Sequence, residues 1–278
     1  MNIRNSTSNI GNPTPFNAPI GVFDSGIGGL TVVAELRRAL PDERILYVGD
    51  TARVPYGGKS AGTVTRYSRE ISDLLVTEGA KLIVVACNTA SALAVPELAS
   101  SYNVPMIGVL EPGAVAAVKA TRSGKIGVIG TRATIGSGAY SRAIYSLNPG
   151  VSVTATACPL LVPLIEEGLF DDEITDLVLS RYLEPMLKSG IDTLVLGCTH
   201  YPLLKNAILK ICGDRVTLVD SAENCALAVK AILARSEHAV VEPHLDILLT
   251  DSSEGFLRIA EKSLDLKIDS LAIRSVGN

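Results

Sequence analysis

The run Leu82-Ile83-Val84-Val85-Ala86-Cys87-Asn88-Thr89 is apolar without interruption as far as Cys87 and then turns abruptly polar. A strand hydrophobic on both of its alternating faces is buried on both, as in a parallel sheet covered by helices. The pattern returns at Thr193-Leu194-Val195-Leu196-Gly197-Cys198-Thr199-His200, displaced by 111 residues, so that Cys87 falls on Cys198. The same displacement carries Ala117-Val118-Lys119 onto Ala228-Val229-Lys230, and Ile20-Gly21-Val22 recurs as Ile126-Gly127-Val128 at a spacing of 106. The small difference between the two spacings is what a loop insertion leaves behind. The chain therefore reads as α/β, built of two similar parallel-sheet halves.

Working outward, short apolar runs alternate with amphipathic stretches. Strands are expected near Ile20–Phe23, Ile45–Val48, Leu82–Ala86 and Met106–Val109, and again near Ile126–Ile129, Val151–Ala155, Leu194–Leu196 and Val216–Val219. Helical patterns over Leu30–Leu40, Thr63–Thr77, Ala114–Ala120 and Glu173–Lys188 are long enough for right-handed crossovers. Asp220-Ser221-Ala222-Glu223 reads as a strand end followed by a capping box.

Composition narrows the class of protein. Of 278 residues, 47% are hydrophobic and 19% charged, which excludes intrinsic disorder. A net charge of −4 provides no electrostatic footprint for nucleic acid or an anionic membrane, and the longest apolar runs fall short of a bilayer span. A small-molecule partner is expected. Five cysteines without a Cys-x-x-Cys pair suit a reducing cytoplasm rather than a disulfide framework. Residues 1–19 are polar, lack the apolar stretch of a secretion signal, and read as a flexible tail.

In open parallel sheets, ligands bind beyond the carboxyl ends of the strands. After the first run comes Asp24-Ser25-Gly26-Ile27-Gly28-Gly29, a turn tight enough for backbone to approach a ligand, but without the G-x-G-x-x-G spacing of a dinucleotide site. Cys87 and Cys198 each end a buried strand and are expected to open a helix, where unpaired N–H groups favour a thiolate. Such thiols act as bases or as nucleophiles. Cys158, Cys212 and Cys225 read as small buried hydrophobes, and His238 and His244 as bland surface or loop groups. Cys198, His200 and Cys87 lack the fourth ligand of a structural zinc site, so no metal is expected. If the halves face each other, one thiol stands on each side of a single ligand. Two opposed bases suit stereoinversion, in which one thiolate removes a proton from carbon and the opposite thiol returns one to the other face, with no cofactor required. Two alternatives remain open on these residues. One is a cysteine hydrolase or amide-transferring enzyme with Cys198 as nucleophile and His200 as base; the other is an amino-acid binding protein without chemistry.

Five motifs in order carry a resemblance: Ile20-Gly21-Val22-Phe23-Asp24-Ser25-Gly26-Ile27-Gly28-Gly29-Leu30, Gly49-Asp50-Thr51-Ala52-Arg53-Val54-Pro55-Tyr56-Gly57, Ala86-Cys87-Asn88-Thr89-Ala90, Val162-Pro163-Leu164-Ile165-Glu166 and Leu196-Gly197-Cys198-Thr199-His200-Tyr201-Pro202-Leu203. Together they resemble the glutamate racemases of the cofactor-independent aspartate/glutamate racemase superfamily. Departures are mild: Ile27 stands where Val is common, Thr31 where Ser is common, and Arg53-Val54 varies within its loop. The resemblance implies that Cys87 and Cys198 are proton donor and acceptor on opposite faces of the glutamate α-carbon. It implies that Asp24, beside Ser25, contacts the amino group and assists the first thiol, and that His200 and Glu166 assist the second. Asn88, Thr89 and Thr199 would bind carboxylates, Tyr56 and Gly57 would close over the ligand, and Thr131 and Thr134 would contact the side-chain carboxylate. Asp50 reads as structural. The implied fold is α/β, two similar Rossmann-like parallel-sheet domains with pseudo-two-fold symmetry and the active site between them. The implied organisation is a first domain of residues 20–111 with 220–278, a second of 112–219, a homodimer, and a supply of D-glutamate to peptidoglycan.

Overall fold

The structure, a computed structural model, describes residues 18–234, 242–252, 256, 259–260 and 264–277. Residues 1–17 of the expected tail, and His238, lie outside the described residues. Ala18 is buried, and the Pro19 carbonyl accepts the Lys81 N–H at 2.9 Å.

The first sheet is built from β1 (Ile20–Asp24), β2 (Arg44–Gly49), β3 (Leu82–Val85) and β4 (Met106–Gly108). Between them run α1 (Leu30–Ala39), α2 (Ala61–Thr77), α3 (Asn88–Leu93) and α4 (Val95–Leu98). Helix α5 (Leu110–Ala120) leads into the second sheet, made of β5 (Lys125–Gly130), β6 (Ser152–Ala157), β7 (Thr193–Gly197) and β8 (Thr217–Asp220). Its connections hold α6 (Arg132–Gly136), α7 (Ala139–Leu147), α8 (Leu161–Glu166), α9 (Glu173–Lys188) and α10 (Lys205–Cys212). Helix α11 (Ser221–Leu233) returns to the first sheet, to which β9 (His244–Leu249) and β10 (Ser270–Ile273) add an edge.

All pairings are parallel, with strand orders β10-β9-β2-β1-β3-β4 and β6-β5-β7-β8. The segment β2-β1-β3-β4 of the first sheet repeats as β6-β5-β7-β8, so the duplication read from the sequence is present in the topology. The eight expected strands all form. Gly21 and Gly127, equivalent in the two repeats, explain why Ile-Gly-Val recurs. A Cβ on Gly21 would lie 2.9 Å from Ala80 Cβ, and one on Gly127 would lie 2.7 Å from Ile191 Cδ1, so both strands require the close packing that only glycine allows.

Strands β9 and β10 were outside the sequence expectation. In β9 buried and half-buried residues alternate, and β10, the edge, is exposed along its length, so neither shows the continuous burial of β1 or β3. His244, expected as a bland group, opens β9 with Nε2 3.1 Å from Asp246 and Nδ1 3.8 Å from Asp269.

Burial explains how the helices are distributed. Ala222, Cys225, Ala226, Val229 and Leu233 recur at helical spacing and join Ile20, Leu30 and Val33 in one apolar cluster, which holds α11 against α1. Leu110, Ala114 and Ala117 of α5 instead join Val128, Ile144 and Val195. Each fully buried Leu, Ile or Val in these clusters contributes about 1.5–3 kcal/mol of transfer free energy. At the start of α11, Asp220 caps the helix by accepting the Ala222 N–H at 2.7 Å, and its second oxygen pairs with Lys205 at 2.6 Å.

Candidate active site

Strand β3 delivers Cys87 to the N-cap of α3, where its sulfur accepts the Ala90 N–H at 3.5 Å and its S–H reaches Ser25 Oγ at 3.7 Å. Burial, with the Asp24 carboxylate nearby, pushes the Cys87 thiol up to about 12, and the two hydrogen bonds oppose that rise only in part. The equivalent strand β7 ends just before Cys198. Here the local structure differs from expectation, because Cys198 does not open an α-helix. A 3₁₀ turn over Tyr201–Leu204 intervenes before α10, with the Tyr201 N–H bonded to the Cys198 carbonyl at 3.1 Å. Cys198 has a side-chain neighbour in compensation. His200 Nδ1 lies 3.9 Å from its sulfur, and His200 Nε2 lies 3.1 Å from Glu166. Burial disfavours charge on His200, but Cys198, Glu166 and Asp24 outweigh it and push the imidazole up to about 10. His200 is therefore an imidazolium at neutral pH.

Both cysteines line one cavity of about 320 Å³. Ser25, Tyr56, Gly57, Asn88, Thr89, Thr131, Glu166, Thr199 and His200, all singled out in the sequence, line it as well. Asp24 and Thr134 stand behind the wall. Asp24 is fully buried, its Oδ2 accepting the Gly26 and Gly29 N–H groups at 3.0 and 3.1 Å, while its Oδ1 has no hydrogen-bond partner among the described residues. Burial raises the Asp24 carboxyl above its ordinary value, against the pull of His200 and the loop N–H groups. Thr134 closes a triangle of hydroxyls, 3.1 Å from Thr89 and 2.9 Å from Thr131, with Thr89 and Thr131 themselves 2.9 Å apart. This triangle ties α3 to α6 across the cavity floor.

Tyr56 is held by the buried carboxylate of Asp50, to which its hydroxyl donates. The same carboxylate receives Arg53 Nε at 2.8 and 2.9 Å and Thr250 Oγ1 at 2.9 Å. Asp50 thus anchors the cavity's Val54–Gly57 wall to the chain just beyond β9. Backbone contact is equally close at Gly28, where a Cβ would lie 2.4 Å from His200 Nδ1 and 2.6 Å from Thr199 Oγ1.

The sequence reading missed part of the lining. Cys158, taken as a plain hydrophobe, is buried but reaches the cavity, as do Pro159 and Arg132. The signal was available, because Cys158 directly follows β6 and Arg132 lies just beyond β5, and strand ends were the positions to inspect. Among the described residues no group of three or more His, Cys, Asp or Glu side chains is placed to hold a metal ion, and no helix is long and apolar enough to cross a membrane.

Known proteins resemble this chain along most of its length. The chain matches the Asp/Glu/Hydantoin racemase family over residues 20–232. It is 51% identical to a glutamate racemase of Geobacter metallireducens, across 90% of this chain and 93% of that one. The crystal structure of glutamate racemase isoform RacE1 from Bacillus anthracis superposes with a TM-score of 0.89 at 42% identity, covering 93% of this chain and 97% of that one. A glutamate racemase from Francisella tularensis, solved in complex with D-glutamate, gives a TM-score of 0.86 at 37% identity, covering 94% and 98% of the two chains. With this degree of likeness along most of its length, the chain belongs to the Asp/Glu/Hydantoin racemase family.

Proposed function

We propose that this chain is a glutamate racemase that interconverts L- and D-glutamate by proton transfer between two thiols, without a cofactor. The observation that carries the reading is that cysteines at equivalent strand ends of the two repeats line one cavity. One sulfur, as thiolate, takes the α-proton; the carbanion then receives a proton from the opposite thiol, and the charge states of the two sulfurs are exchanged. Before substrate binds, Cys87 is the protonated partner, since its pKa is pushed up to about 12. Cys198 has His200 Nδ1 3.9 Å from its sulfur, placed to exchange a proton with it or to balance its charge during the transfer. Glu166 holds that imidazolium in place, and Asp24 acts on Cys87 through its charge from behind the wall. Asn88, Thr89, Thr199 and Thr131 supply amide and hydroxyl donors for the two carboxylates, Thr134 steadies the Thr89 and Thr131 hydroxyls from behind, and Ser25, Tyr56 and Gly57 complete the enclosure.

In this reading the site lies between a lobe of residues 20–111 with 220–278 and a lobe of residues 112–219. The enzyme works in the cytoplasm as a homodimer and supplies D-glutamate for peptidoglycan. The trio Cys198, His200 and Glu166, considered alone, also suits a cysteine nucleophile with a general base, and one experiment separates the two. Incubated with L-glutamate in D₂O, a racemase loses optical rotation and places deuterium at the α-carbon; a hydrolase does neither. Cys87→Ala and Cys198→Ala should each lower turnover by ~2 to 4 orders of magnitude in both directions. Near-parental turnover in either variant refutes the two-thiol mechanism.

A further inference from the structure

Tyr140 stands on α7, is 2% exposed, and has no part in the chemistry above. Its hydroxyl lies 2.6 Å from Asn88 Oδ1. Asn88 Nδ2 in turn donates to Ser221 Oγ at 3.3 Å, and Ser221 Oγ donates to the Leu196 carbonyl at 3.1 Å. All three side chains are buried, so none of these groups has water to fall back on.

The order of protons along this row is fixed from its far end. A backbone carbonyl only accepts, so Ser221 gives its single hydrogen to Leu196 and presents a lone pair to Asn88. The Asn88 group facing Ser221 must then be the NH₂, its oxygen faces Tyr140, and the tyrosine must donate. Burial keeps the proton on that phenol by raising its pKa far above the ordinary value. Asn88 also lines the cavity, and its NH₂ carries a second hydrogen that Ser221 does not use.

We infer that Tyr140 is a positioning residue that locks the Asn88 amide with its N–H side available to a substrate carboxylate. The inference rests on the racemase reading, in which Asn88 binds a carboxylate. An amide turned the other way would present its oxygen to that anion and replace attraction with repulsion. The row also starts in α3, directly after Cys87, runs to α7 and α11, and ends at Leu196, two residues before Cys198. The donor is therefore set only when the two repeats are correctly apposed.

Tyr140→Phe keeps the ring and removes only the hydroxyl. With initial rates of glutamate racemisation followed by circular dichroism on the full chain, KM should rise about tenfold or more in both directions. The value of kcat should change by no more than about threefold, because the thiols are untouched. A merely structural role predicts another result, since unfolding part of the sample lowers the apparent kcat and leaves KM where it was. Ser221→Ala cuts the row at its other end and carries the same expectation should Tyr140→Phe fail to fold. A KM within about threefold of the parent value in whichever variant folds overturns the assignment, as does a loss confined to kcat. The parent's own activity separates the two claims. An inactive parent overturns the racemase reading and this inference with it, whereas an active parent with an unchanged variant KM overturns only the role of Tyr140.

Discussion

His200 holds its proton because three anionic or potentially anionic neighbours surround a buried ring. Burial alone would discharge it; Cys198, Glu166 and Asp24 reverse the balance and carry it to about 10. Its folded pKa is thus raised above the ordinary 6.5, so the stability it contributes is fully present below that pH and is lost as pH rises through about 10. Glu166→Gln removes one of the neighbours and should bring the alkaline limb of the kcat profile down by about one pH unit. A pH–rate profile of the variant checks this, and an unmoved limb detaches Glu166 from His200. At this scale the sequence showed which residues come to the cavity better than what they face there. Cys87, Cys198 and His200 were legible because a residue next to a strand end has few places to go. Asp24 was not, because its direction is decided by the Gly26 and Gly29 N–H groups, which claim Oδ2 and draw the carboxylate behind the wall. Tyr140 was invisible for a different reason: its partner lies 52 residues away and in the other repeat.

At the scale of elements, the site is made where loops after equivalent strands touch. The loop after β1 meets the loop after β7 at Gly28, with no room for a methyl group against His200 and Thr199. Gly28→Ala should therefore displace the imidazole and lower kcat about tenfold or more while far-UV circular dichroism stays at the parent level. Parental kcat in that variant would mean the two loops yield to each other freely. The interior strands were legible from continuous apolar runs, and the helices from amphipathic spacing. Strand β10 escaped because it is an edge exposed along its length, and β9, between β10 and β2, escaped because it is fully buried only at alternate residues. The 3₁₀ turn after Cys198 escaped because Pro202 sits within it and nothing local distinguishes Pro at a 3₁₀ start from Pro at a helix start.

For the molecule as a whole, buried polar contacts join the repeats at several points among the described residues. The Thr31 hydroxyl of α1 shares its one hydrogen between the Thr199 carbonyl at 2.9 Å and the Gly28 carbonyl at 3.0 Å, tying the first sheet's helix to the segment between Cys198 and His200. Thr31→Val is nearly the same size and leaves that buried carbonyl without its donor. It should cost about 1–3 kcal/mol in urea unfolding and shift the midpoint without changing the slope. An unaltered midpoint would show that water replaces the contact. Both the duplication and its pairing of cysteines could be read from spacing alone, since a fixed displacement survives in the chain even where side chains diverge.

The two strand ends are matched in backbone but not in company. One sulfur has Ser25 and the Asp24 charge beside it; the other has a cation. L- and D-glutamate have equal free energies in water, so kcat/KM must be the same in either direction whatever the enzyme looks like. The unlike surroundings can therefore appear only as compensating inequalities. If one enantiomer is held more tightly than its mirror image, it must be turned over more slowly in the same proportion, so that the handedness of the protein can be expressed in saturation but not in equilibrium.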